Sequence, residues 1–446
     1  VLIAWLLLAC RADPEPAPTT PPAPVQPQPT APSHPEPVLP TLTVPDTAPT
    51  GQTGATGHTG DTGGPPEAGA WLFEDDAVLT FTLTLTPEAQ DRLRTNPDEW
   101  APASLIVGSY AFPLVGVRLK GNGSFQSFDD KPSWKVDIDH YVDGLELDGL
   151  DEIVLDNMGN DPTWLRAKTA NALYAQMGVP APRSTWVTLK EGDRTMAMLL
   201  SEDKDGRFLD RWYDDGDGSL YELFDSDLYV EQIPFLDHDN GPMNLAPFYA
   251  VAGALDATGA RLSRDTDHVL DVEQFARYFG ISGAIGQFDA YPYSNPGDDI
   301  YFYIDPADNR IDTLPHGTDE TFTDRFRPAD FTIGRLGGAC LADPVCKQWW
   351  GEDLWEAVDH VAAHTYDDLR AGHDLLIERY GELGYEDCNV HIDAVKADHD
   401  DDGVIEDATI EAAGVMGTPC RSMAAMITFV LTRYERVSVM PGVPDP

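Results

Sequence analysis

Aspartates suited to acid–base and metal chemistry are concentrated between Asp271 and Phe322, where the chain reads DVEQFARYFGISGAIGQFDAYPYSNPGDDIYFYIDPADNRIDTLPHGTDETF. Asp289 follows a helical pattern, Asp298 and Asp299 open an aromatic strand, and Asp319 comes just after the returning strand. A carboxylate accepts a proton from a hydroxyl, and its oxygens bind hard divalent cations. One aspartate as base and two as metal ligands would therefore suit phosphoryl transfer. In a chain with 76 acidic residues, loop aspartates are also common turn formers, so this reading needs cations from elsewhere in the chain.

The elements that must hold these residues are legible around them. Asp271 with Gln274 makes a capping pair, and Phe275, Tyr278, Phe279, Ser282 and Ile285 follow at helical spacing, delivering Asp289 to the helix end. Pro292, Pro296 and Gly297 mark a loop, IYFYID a strand, ADN a turn and RIDTLP the returning strand. Upstream, Ala77 to Thr86 alternates as a strand, and Thr86-Pro87-Glu88 opens a short helix through Arg94. SLIVGSYAFPLVGVRLKGNGSF predicts strands running into a glycine-rich loop, followed by Lys131 and the strand SWKVDID with Lys135 inside it. Asp161 is expected to cap a helix with Pro162 at its first position, an apolar stripe of Leu165, Thr169, Leu173 and Met177, and Gly178 as its stop. STWVTL and TMAMLLSEDKD pair across the turn EGDR, the second strand ending at Glu202, and DDGDG before SLYELF is an acidic turn.

Composition bounds the function. Roughly 375 residues are able to fold, enough for one large or two moderate domains with a substantial core. The net charge of -47 argues against a nucleic-acid partner, because a phosphate backbone needs a basic surface. Any nucleotide site must therefore be a local electrostatic exception. VLIAWLLLAC resembles a bacterial lipobox with Cys10 as the lipidated residue, although a basic n-region and an initiator Met are absent; the run is too short to span a bilayer. The expectation is an exported lipoprotein, anchored to the outer membrane or cell surface by a lipid at Cys10. Residues 11–69 are rich in Pro, Thr, Ala and Gly and read as a disordered tether. The remaining cysteines favour two disulfides, most simply Cys340 with Cys346 and Cys388 with Cys420, out of three formal pairings. Zinc is disfavoured, since no Cys-x-x-Cys accompanies them.

Beyond Phe322 the chain is helical. DPVCKQWWGEDLWEAVDHVAAHTYDDLRAGHDLLIERYGELG predicts two amphipathic helices with an apolar stripe that includes Trp350, Trp355, Leu369 and Leu376. His360 and His364 share a helical face, but without a third ligand they and His373 read as surface histidines. Asp398, Asp400, Asp402, Gly403, Val404 and Glu406 reproduce the start of an EF-hand calcium loop, with Thr409 rather than Glu at the twelfth position. A last helix is predicted from Met423.

The succession VGVRLKGNGSF, KPSWKVDID, Asp161 to Arg166, LLSEDKD, GSLYE, FDAYPYSNPGDDIYFYID and LPHGTDETF resembles the spore-coat protein H (CotH) kinase family over roughly Leu72 to Phe326. The resemblance implies an α+β, two-lobed, atypical protein-kinase-like fold over 70–385; the helical C-terminal extension, with 386–446 as a disulfide-stapled segment carrying the calcium loop, is read from its own residues. The resemblance also implies transfer of phosphate from ATP to Ser or Thr of secreted or coat proteins. Arg118, Gly121 and Lys135 match the R-x-x-G and strand-lysine positions, and Asp289 the catalytic aspartate. Arg166 matches the helix-start arginine, with pairing to Asp161 or Asp156 as its more natural use. By kinase logic Lys135, with Lys120 as runner-up, would neutralise the phosphates, Glu202 or another carboxylate would hold that lysine, and Asp299 and Asp319 would bind magnesium or manganese. Two departures stand out. Asp299 replaces the usual Asn, and His316-Gly317-Thr318-Asp319 replaces a motif with two acids, of which Asp319 alone remains. The competing expectation is an inactive surface or coat protein that keeps the fold for adhesion or assembly. Polysaccharide hydrolysis by paired carboxylates fits the acidity, but no motif identifies a pair.

Overall fold

The structure, a computed structural model, describes residues 68–75, 78–257, 259, 261–287, 289–291, 293–294, 297–323, 332–414, 418–440 and 443–444, all within the compact unit Leu42–Pro446. Cys10, all but the end of the tether, and Pro292 and Pro296 lie outside the described residues. No helix among the described residues is long and apolar enough to cross a membrane.

The first half of the described chain builds a closed barrel. Its elements are β1 (Thr80–Leu85), α1 (Pro87–Thr95), β2 (Ala101–Val107), β3 (Tyr110–Lys120), β4 (Ser133–Asp137), β5 (Glu152–Asp156), α2 (Arg166–Gln176), β6 (Ser184–Glu191) and β7 (Arg194–Glu202). The strand order is β1-β2-β3-β4-β5-β7-β6, and β6 closes the ring by pairing in parallel with β1, Thr188 opposite Thr80. Period-two alternation sends Phe81, Leu83, Val117, Trp134, Ile153 and Leu189 to the interior. Pro113 falls where the β2–β3 register shifts, a place where its missing N–H is tolerated. β6 and β7 are apolar on both faces. Val187, Leu189, Met198 and Leu200 fill the barrel, while Trp186, Ala197 and Leu199 join the core of the helical body.

That body follows in order: α3 (Gly206–Trp212), β8 (Ser219–Leu223), β9 (Asp237–Asn240), α4 (Ala246–Asp256), α5 (Leu262–Asp265), α6 (Val272–Ile285), β10 (Ile300–Ile304) and β11 (Ile311–Pro315). The four strands form a sheet of order β11-β10-β8-β9, so all five residues of β10 are buried. Ile300 and Phe302 face the main core, and Tyr301 and Tyr303 face Phe208, Leu209 and Leu314. α6 begins as expected, with Asp271 Oδ1 accepting the Gln274 N–H at 3.0 Å. The rest of the chain is helical: α7 (Arg335–Ala342), α8 (Pro344–His360), α9 (Tyr366–Tyr380), α10 (Asn389–Asp402), α11 (Asp407–Glu411) and α12 (Pro419–Ser438). α6 crosses α8 at Gly280, where a Cβ would come within 2.8 Å of Leu354 N and 3.0 Å of Trp350 O. Disulfides join Cys340 to Cys346 and Cys388 to Cys420, the expected pairing.

Three expectations need correction. The helix after Asp161 starts at Arg166 rather than Pro162, because the Asp161 carboxylate takes the N–H groups of Thr163 (2.9 Å) and Arg166 (2.8 Å) and holds 162–165 in turns, with Trp164 at φ 61. His373 is fully buried rather than superficial: Nε2 accepts the Cys388 N–H at 3.0 Å and Nδ1 lies 2.8 Å from Tyr385 Oη. The segment Asp398–Asp402 is the end of α10 rather than a loop, stopped by Gly403 at φ 76. A D-x-D-x-D-G string satisfies a helix with a glycine C-cap as well as it does a calcium loop. Asp398 accepts from Glu406 N–H (2.8 Å) and Thr409 Oγ1 (2.7 Å), Asp400 pairs with Lys396, and the side chain of Asp402 lies outside the described residues. Gathering these carboxylates around calcium would require the last turn of α10 to open.

Candidate active site

A cleft of about 450 Å³ lies where the ends of β3, β5 and β7 face the loops around β8, β10 and β11, and it takes in Asp289, Asp298, Asp299 and Asp319 together with Lys120, Lys204 and the loop Gly121–Ser124. A larger groove of about 870 Å³, lined in part by α2 residues from Lys168 to Gln176, holds none of these aspartates, so size does not select it as the site.

Each aspartate is fastened by a neighbouring element. α6 stops at Gly286 (φ 59), and Gln287 then donates from Nε2 to the carbonyl of His316 at 2.6 Å while its Oε1 accepts the Tyr174 hydroxyl at 2.7 Å. The segment carrying Asp289 is thereby tied to the one carrying Asp319. Arg433 of α12, buried, donates from Nε to the Ala284 carbonyl at 2.8 Å and from a second nitrogen to that of Gly283, satisfying the last carbonyls of α6. Asp319 sits in a single 3₁₀ turn, Thr318–Glu320, where the Thr318 hydroxyl donates to Asn171 Oδ1 of α2 at 3.0 Å. Asp299 has a positive φ of 54, and its carbonyl accepts the His316 N–H at 3.3 Å. Its carboxylate lies against Gly317.

The cleft brings two kinds of charge together. Burial, then Asp298, Asp319, Asp289 and Glu222, push the Asp299 carboxyl well above its ordinary range. Burial and the nearby Asp156 push Asp319 up to about 7. Mutually repelling carboxylates in a half-buried cleft are a donor set that a divalent cation relieves, and all-oxygen ligation fits magnesium or manganese. The same cleft holds Lys120 and Lys204. The Lys204 ammonium has the His316 Nδ1 at 3.0 Å and the face of Tyr301 at 4.8 Å, and no carboxylate oxygen among the described residues lies within ion-pair distance of it. Burial, then Lys120, lower its pKa to about 8.

The cations and their partners are arranged differently from the expectation. Lys135 is absent from the cleft lining: its ammonium is gripped by Glu152 at 2.9 Å and Asp203 at 2.5 Å. Burial works against that charge, but Asp203 and Glu152 outweigh it and hold the Lys135 pKa above its ordinary value. Of the two acids, burial and Asp203 push Glu152 up to about 8, whereas Lys135 overrides burial and holds Asp203 well below the carboxylate range. Glu202 instead binds Arg183 (2.5 Å) and Arg211 (2.6 Å). The reason is strand parity: Lys135 pairs with Val154 and Val154 with Ser201, so the row on that face continues to residue 203 and skips 202. Arg118 stacks over Trp100 at 5.3 Å, and the Arg166 Nε lies 3.8 Å from Asp161 Oδ1. Sequence reasoning missed Lys204, Asp203 and Glu222; the parity of SEDKD was the available signal for the first two.

Lys204→Met is expected to weaken binding of an anionic nucleotide. In the unaltered protein, affinity is expected to fall between pH 7 and 9 as the ammonium loses its proton near 8, and Lys204→Arg should flatten that profile. Titration of manganese–ATP by calorimetry at pH 7, 8 and 9 reads both effects, and parallel profiles for all three proteins would contradict them.

A family model described as CotH kinase protein matches residues 117–343, just over half of the chain and all of the cleft-forming elements from β4 through β11. No curated protein matches the chain.

Proposed function

Because this chain belongs to the CotH kinase protein family, we propose that it is an exported, atypical two-lobed protein kinase transferring the terminal phosphate of ATP to Ser or Thr of surface or secreted proteins. The observation that carries this reading is the meeting of Asp289, Asp299 and Asp319, some thirty residues of chain apart at most, with Lys120, Lys204 and a glycine-rich loop around one cleft. In this reading the barrel is the first lobe and the helical body the second.

Asp299 and Asp319 would hold magnesium or manganese, which when bound would supply charge neutralisation at the phosphates. Lys120 and Lys204 add positive charge from the barrel side, while Lys135 keeps Asp203 and the β7 end in place. Asp289 orients the acceptor hydroxyl and takes its proton as that oxygen bonds to the γ-phosphorus and the bond to the β,γ-bridging oxygen breaks, leaving ADP. The transition state is loosely bonded, so positioning and charge carry the acceleration. Lipid anchorage at Cys10 and a tether would place this activity at a membrane surface.

A second reading, an inactive coat or surface protein of the same family, is favoured by Gly317 in place of an acid and by the neutralised state of Lys135. Incubation of the protein with γ-labelled ATP, manganese and a Ser/Thr-rich acceptor separates the two. Incorporation that disappears in Asp319→Ala supports the kinase; equal background in both proteins supports the inactive scaffold.

A further inference from the structure

Asp299 and Gly317 are two ends of one arrangement. A Cβ built on Gly317 would lie 2.0 Å from Asp299 Oδ2 and 2.1 Å from both Cγ and Oδ1, so the Asp299 carboxylate fills the volume that a side chain at 317 would need. The two backbones are locked together: Ile300 faces Pro315 at the end of the hairpin, and the His316 N–H donates to the Asp299 carbonyl at 3.3 Å. Both residues have positive φ, 54 at Asp299 and 51 at Gly317, a conformation glycine adopts freely and aspartate tolerates better than most side chains.

We propose that positions 299 and 317 share a single side-chain seat in the cleft, so that one carboxylate at a time is presented from it, here from 299 because 317 has no side chain. Gly317 is thus a positioning residue rather than a lost ligand. An aspartate at 317 would set its Cβ in that volume and its carboxylate one bond beyond, provided that 299 vacates it. The acid at 299 and the glycine at 317 then amount to one carboxylate presented from one side of the mouth of the hairpin. The metal role of this seat rests on the phosphotransfer reading; the seat itself does not.

The test uses the whole protein and the variants Asp299→Gly, Gly317→Asp and their combination, which exchanges the two residues. Manganese binding is read from the loss of the free-ion electron paramagnetic resonance signal, and folding from thermal melts. Asp299→Gly is expected to weaken manganese binding by about tenfold or more, at the scale by which lost metal-site partners act. Gly317→Asp alone, with two carboxylates competing for one volume, is expected to lower the melting midpoint. The exchange variant is expected to recover both the midpoint and most of the manganese affinity. An exchange variant that melts no higher than Gly317→Asp overturns the shared seat. Manganese binding in Asp299→Gly equal to the unaltered protein overturns its metal role. If the unaltered protein binds no manganese, the metal reading fails, and the melts still decide whether the seat is shared.

Discussion

Asp289→Asn is expected to lower phosphate incorporation by about 10²- to 10⁴-fold, the usual contribution of a positioned general base, with manganese affinity and thermal stability close to those of the unaltered protein. The amide keeps the size and shape of the carboxylate and much of its hydrogen bonding, but it cannot take a proton from the acceptor hydroxyl. The neighbouring fastenings do not depend on the residue's charge: Gln287 bridges Tyr174 and the His316 carbonyl, and Arg433 closes the end of α6. Because Asp299 and Asp319 are untouched, the proposed cation site is retained. The discriminating measurement is incorporation at saturating ATP and manganese across pH 5 to 9. A base role removes the activity at every pH, whereas a merely structural role would appear as a shifted melting midpoint. Full activity in Asp289→Asn would move the base elsewhere in the cleft.

The site was legible to the extent that its residues sit on locally specified elements. Asp271 and Gln274 announced α6, the alternation of IYFYID and RIDTLP announced the hairpin, and together they bring Asp289, Asp299 and Asp319 into proximity. What depended on the relation between distant strands was not legible. Which acid meets Lys135 is decided by a one-residue parity across β4, β5 and β7, and a single step exchanges Glu202 for Asp203. The parallel closure of β6 on β1 joins residues about a hundred positions apart, and no local pattern encodes it. Arg433 reads as one more basic residue on an amphipathic helix until α12 is laid against the end of α6. The acidic string at 398–402 was ambiguous for the opposite reason: one local pattern fits two structures, and here it ends a helix.

Glu202→Ala is expected to cost about 3 to 5 kcal/mol of stability, the range for removing one partner of a buried ionic cluster. The side chain is only 2% exposed, and its two oxygens accept from the Arg183 backbone N–H at 2.7 Å and from the guanidinium groups of Arg183 at 2.5 Å and Arg211 at 2.6 Å. Arg183 immediately precedes β6 and Arg211 lies on α3, so this one carboxylate ties the end of β7 to the entry of the adjoining barrel strand and to the first helix of the helical body. Removing it takes a shared carboxylate from two largely buried guanidinium groups, a loss that apolar packing cannot offset. Glu202→Gln preserves the shape but not the charge and should fall between. Asp203 and Lys204 follow directly on the chain, so nucleotide affinity should decline with stability in the same series. A role for Glu202 as the partner of Lys135 predicts otherwise: Lys135→Met would then cancel the effect of Glu202→Ala in the double variant, whereas separate clusters make the two losses add. Urea unfolding of both single variants and the double variant measures this, and an interaction energy above about 1 kcal/mol would return Glu202 to the lysine.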